Sequence, residues 1–116
     1  MSKPIRALSV CQPYAEQSLS GEKRVEYRSI PTKLKRERVY LYASKRERKD
    51  VYRKLKVEPG TYPTGVIVGT VEVVGCRKVG ERDYRWQLAN PVRAKRKLRP
   101  KRSPQPVWFY PFKPAA

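Results

Sequence analysis

A mainly β (α+β) fold, a small β-barrel of five to seven short strands with two or three short helices, is what the sequence predicts. Three observations carry it. Short runs rich in Val, Ile, Tyr and Trp recur along the chain, bounded by Gly, Pro or Ser. The longest, GVIVGTVEVVGCRKV (65–79), is interrupted by Gly69 and Gly75, which suit bulges or tight bends where a long strand turns a barrel corner. The helical patterns between the strands are short enough to pack across the openings of such a barrel. A length of 116 residues fits a single domain, 1–116, with one modest core.

The elements follow in order. IRALSVC (5–11) alternates loosely and reads as a strand. Pro13 suits a first helical position and Gly21 a left-handed cap, so a short helix is expected over about 13–20. RVEYR (24–28) resumes strand character, Pro31 closes it, and TKLKRE (32–37) reads as a basic loop. In VYLYAS (39–44), Val39, Leu41 and Ala43 share one face of a strand and Tyr40 and Tyr42 the other. Ser44 and Glu47 form an S-x-x-E capping box ahead of RKDVYRKL, where Val51 and Leu55 would bury a narrow stripe. PGTYPTG (59–65) is turn chemistry. YRWQL (84–88) alternates like a strand that ANP (89–91) stops, and a basic strand is expected over 92–98. VWFYPF (107–112) is too apolar to leave in water, so 107–110 should return to the core and leave 99–106 as a mobile basic loop.

Charge decides the class of partner. With 28 Lys+Arg against 10 Asp+Glu the chain carries a formal +18, which attracts polyanions and says nothing about fold. No apolar run is long enough to span a bilayer, and the basic start leads into a strand-like stretch and not into a signal peptide. The basic stretches are irregular or strand-like, which argues against a membrane-surface helix. Nucleic acid is the expected partner, in a cytoplasmic protein without cofactor, with a monomer favoured and the oligomeric state left open. Cys11 and Cys76 stand 65 positions apart in a chain without histidine, so no metal is expected and both read as small buried apolar residues.

LSVCQPYAEQSLSGEKRVEYRS resembles the opening of an ASCH domain, a member of the PUA-like β-barrel superfamily. That opening is a strand, a short helix beginning Gln-Pro-aromatic, then G-x-K-x-x-E-x-R. Gln12, Pro13, Tyr14, Gly21, Lys23, Glu26 and Arg28 match it. VYLYASK, GVIVGTVEVVGC, YRWQLANPV and PQPVWFYPF are similar to later segments in the same order, so the likeness spans about 5–112. The resemblance implies a PUA-like barrel that binds RNA in a cleft between the barrel and the first helix. Some members are enzymes, including ribonucleases and an amidohydrolase acting on an acylated cytosine nucleoside. In that amidohydrolase type a lysine works with a threonine three residues on and a glutamate of the central strand. Lys23 matches the lysine and Glu72 the glutamate, but Glu26 stands in the threonine position.

Read from its chemistry alone, GEKRVEYRS (21–29) leaves alternatives open. An arginine fork holds phosphate bidentately and a glutamate can fix that fork, with Lys23 beside them as a phosphate ligand or base. Strict alternation puts Lys23 and Glu26 on opposite faces unless the turn after Gly21 rotates the lysine, and a solvated strand edge with a Glu26–Arg28 pair is the plainer reading. Tyr14 and Trp86 are the rings that the resemblance sets near the cleft, where bases would stack. Ser44 and Lys45 open a helix at which an anion could bind, or Ser44 only caps it. Two basic runs add electrostatic reach: 45–56 holds seven cations and two acids, and 93–102 holds seven and none, among them Arg93, Lys95, Arg96 and Lys97. The reading is therefore a nucleic-acid-binding module. RNA is its expected partner, and its alternatives are a metal-free ribonuclease or amidohydrolase using Lys23 with Glu26 or Glu72, and a DNA-binding or ribonucleoprotein structural component.

Overall fold

A computed structural model describes residues 4–112. In chain order the elements are β1 (Ala7–Gln12), α1 (Tyr14–Ser20), β2 (Val25–Arg28), β3 (Glu37–Glu47), α2 (Lys49–Leu55), β4 (Val66–Gly80), β5 (Asp83–Leu98) and β6 (Trp108–Phe109). The six strands make one curled sheet in the order β2-β5-β4-β3-β1-β6. Among the described residues only β1 and β3 run parallel; the other pairs are antiparallel. The small PUA-like barrel with two helices is thus present.

The pattern of apolar residues explains the curl. Leu8, Val10, Val39, Leu41, Ala43, Val71, Val73, Trp86 and Leu88 face inward, and α1 closes that core with Ala15 and Leu19. Each valine or leucine among them, once fully buried, contributes about 1.5–3 kcal/mol. Gly69 lets the helix approach this closely: a Cβ there would lie 2.3 Å from the Val92 carbonyl oxygen and 2.6 Å from Leu19 Cδ2. The outer face of β1, β3 and β4 is covered as well, by Phe109 and Phe112 against Ala7, Tyr40, Tyr42 and Ile67. The apolar VWFYPF segment is thus divided between the two faces: Val107 and Trp108 pack on the inner core, Phe109 and Phe112 on the outer face, and Tyr110 is exposed.

No ladder joins the two outermost strands among the described residues, so the barrel has a seam. Side chains close it. Trp86 of β5 stacks on Trp108 of β6 with centroids 5.5 Å apart, and Arg28 Nη2 on β2 donates to the Ser9 carbonyl of β1 at 2.7 Å.

Helix α1 starts and stops as its sequence demands. The buried Gln12 accepts the Glu16 N–H at its Oε1 and donates from Nε2 to the Pro63 carbonyl. Gly21 takes the left-handed conformation at φ 85° and ends the helix.

Four expectations need correction. Asn90-Pro91 does not stop the strand: Asn90 adopts φ 50°, and the pairing steps from Glu72↔Ala89 to Thr70↔Val92 as a bulge. A short polar side chain tolerates that conformation, so β5 bends and continues. Ser44 is not a helix cap. Pairing with β1 carries β3 on to Glu47, and α2 begins at Lys49 with no side-chain cap. The helix is held not by Val51 and Leu55 but by Tyr52, which is fully buried, stacks on Tyr62 and donates to Glu47; Leu55 is exposed. The cysteines are free but only half-buried, because Cys11 opens onto a cleft.

Candidate nucleic-acid interface

The seam is also where the charged residues of β2 converge. Because β2 begins only at Val25, the alternation of a strand does not govern Lys23. The turn after Gly21 brings the Lys23 N–H to the Gln17 carbonyl and swings its ammonium back onto Glu26 Oε1. Glu26 Oε2 receives Arg28 Nη2 at 2.7 Å. The three side chains are 13, 9 and 18 % exposed, in order. They form one ion triad on the inward side of β2, where Glu26 pairs in register with the core residue Trp86. A buried carboxylate shared by two cations is well compensated, and the triad keeps one net positive charge.

Beside it lies a cleft of about 690 Å³ lined by Ser9, Cys11, Tyr14, Glu26, Tyr27, Arg28 and Tyr42, by Ser44–Arg46 and Arg48, and by residues 104–107. Tyr14, at the start of α1, has the Lys23 ammonium 5.3 Å and the Arg48 guanidinium 5.8 Å from its ring centroid. Tyr27 is 59 % exposed and has Arg85 4.7 Å from its ring. The 104–107 segment is tied in by Ser9, whose hydroxyl donates to the Gln105 carbonyl and whose N–H donates to Val107. Burial, with Glu26 adding to it, pushes the Cys11 thiol up from its ordinary value.

The expected site residues fall into three groups. Tyr14, Glu26, Arg28, Ser44 and Lys45 line the cleft. Lys23 stands behind it, held by Glu26 between Tyr14 and Tyr27, and borders two neighbouring recesses. The rest lie elsewhere. Trp86 is fully buried, donates to the Ile30 carbonyl and has Trp108 stacked on it, so no base can reach it. Glu72, flanked by inward Val71 and Val73, is on the outer face and takes only a 3.5 Å contact from Asn90. Lys23, Glu26 and Glu72 are therefore not brought together. Arg93 is held bidentately by Glu16 of α1, whereas Lys95, Arg96 and Lys97 are exposed.

Ser9, Cys11, Arg46, Arg48 and Gln105 line the cleft without having been singled out from sequence. Alternation along β1 could have found Ser9 and Cys11, which share one side with each other. Nothing local marks Gln105, which arrives through the tertiary path of the C-terminal segment.

The family model for the ASCH domain matches residues 8–109. This chain belongs to the ASCH domain family. No curated protein matches it in sequence. Among solved structures, this ASCH domain is similar to the crystal structure of a point mutant of ZmASCH from Zymomonas mobilis, with TM-score 0.66 and 12% identity over 93% of this chain and 90% of that one. At that identity the likeness concerns the fold. Among the described residues, no helix of the ASCH domain is long and apolar enough to cross a membrane, and no three His, Cys, Asp or Glu residues cluster as a metal would need.

Proposed function

We propose that this ASCH domain binds single-stranded or structured RNA, with phosphates gripped by Arg28, Lys45, Arg46 and Arg48 and a base stacked on Tyr14 or Tyr27. One observation carries the reading: a cleft of nucleotide size combines two accessible tyrosine rings with four cations. Bases stack on such rings whatever their identity, while basic side chains follow the backbone. Lys23 acts as a positioning residue, fixing Glu26 so that Glu26 fixes Arg28. Free Cys11 and Cys76 suit a reducing, cytoplasmic setting.

The test is a titration of fluorescently labelled single-stranded RNA across a salt series. With about six phosphates neutralised, the log–log slope should be near −4. Tyr14→Ala should weaken binding by about 5- to 150-fold, the worth of one stacked base. A salt-independent titration overturns the reading, and a duplex-DNA competitor that wins at matched salt moves the partner to DNA. Incubation with RNA and with acylated cytidine in chelator separates a binding module from a hydrolase; turnover abolished by Lys23→Ala would establish the enzyme instead.

A further inference from the structure

The two basic runs, far apart in sequence, leave the sheet at the same end. Residues 45–56 continue from the C-terminal end of β3, where Ala43 pairs with Val66 at the start of β4. Residues 93–102 form the last stretch of β5, which ends where Leu98 pairs with Ile67, the next residue of β4, and run on beyond it. Between Gly69↔Arg93 and Ile67↔Leu98 the pairing leaves residues 94–97 as extra chain, so Lys95, Arg96 and Lys97 are thrown outward. Among the described residues only Arg48 of the first run and Arg93 of the second have a carboxylate partner. Lys45, Arg46, Lys49, Arg53, Lys54 and Lys56 on one side, and Lys95, Arg96, Lys97, Arg99, Lys101 and Arg102 on the other, are left without one. Massing like charge at one end of a small barrel opposes folding. The cleft joins them, since it is lined by Lys45, Arg46 and Arg48 from the first run and by 104–107, the direct continuation of the second.

Resting on the RNA-binding reading, we infer that the two runs form one phosphate track across this end of the barrel. The ligand is a single strand long enough to touch both runs while one of its bases enters the cleft. A lone nucleotide fills the cleft and touches neither α2 nor the 94–97 bulge. A polyanion laid along the track offsets the repulsion between the runs and releases counterions from both.

Oligonucleotides of three and twelve residues test this against the native domain and two variants, Lys95→Glu with Lys97→Glu, and Lys49→Glu with Lys54→Glu. These side chains are exposed and make no ion pair, so folding should be untouched, which circular dichroism checks. The 12-mer should bind at least about tenfold more tightly than the 3-mer at low salt, and each variant should flatten its salt slope by about 1.4, two phosphates' worth. The 3-mer should not respond to either variant. If either variant leaves the 12-mer slope and affinity unchanged, or if the 3-mer binds as tightly as the 12-mer, the track is wrong. Tyr14→Ala keeps the two readings apart: weaker 3-mer binding in that variant with silent run variants sinks the track alone, whereas no binding of either oligonucleotide by the native domain sinks the RNA reading.

Discussion

The indole of Trp86 lies nearly parallel to that of Trp108, 5.5 Å between centroids and 9° between planes. Their contact joins β5 to β6 across the gap that, among the described residues, no strand ladder bridges. A residue that sequence reading set in a binding cleft is thereby a bolt of the barrel. Trp108→Ala should cost about 3–5 kcal/mol in denaturant unfolding. Trp86→Phe should lower stability while leaving RNA affinity within twofold of native, and a larger affinity loss would return Trp86 to the site.

Glu26 is the only carboxylate shared by Lys23 and Arg28 among the described residues. Glu26→Gln strips two half-buried cations of their counter-charge and should destabilise by about 3 kcal/mol. Adding Lys23→Met should recover part of that loss, because one of the stranded charges is then gone. A double variant as unstable as the single one would mean that the triad is not coupled.

Gly69→Ala places a methyl 2.3 Å from a backbone oxygen and 2.6 Å from Leu19. Helix α1 and β5 must separate to admit it, at a cost of about 3 kcal/mol. A thermal melt unchanged from native would contradict the close packing of α1 on the barrel.

Arg82 occupies φ 55° in the tight turn between β4 and β5. Glycine reaches that conformation without the Cβ clash, so Arg82→Gly should stabilise by about 1 kcal/mol and raise the melting temperature.

The Cys11 thiol, pushed up by burial, should carry little thiolate at pH 8. Alkylation needs thiolate, so in a Cys76→Ser background its rate with iodoacetamide should lag that of a free thiol at pH 8 and still be climbing above pH 9. Saturating RNA should slow it further, since Cys11 lines the cleft. Equal rates with and without RNA would argue that the ligand lies elsewhere.

Much of this architecture is legible residue by residue. Gly21 and Pro13 bound α1 in the sequence because their backbone preferences act locally, and the apolar 107–112 stretch has to return to the core whatever the tertiary path. Other features are set by partners that a local pattern does not contain. Ser44 reads as a cap until β1 pairs with the chain beyond it. Asn90 reads as a stop until β4 shows where its bulge fits. The meeting of Lys23 with Glu26 depends on a turn that interrupts alternation, and the inward direction of Trp86 depends on which side of β5 meets the core. Gln105 reaches the cleft from across the molecule, through contacts made by Ser9.

A barrel fastened along one side by an arginine and a pair of indoles can change the width of its groove without altering any strand register. Substitution on either lip is enough. Such a scaffold can be refitted to differently shaped guests by single replacements at positions such as Arg28, Tyr27 or Val107, while the ladders that define the fold stay in place.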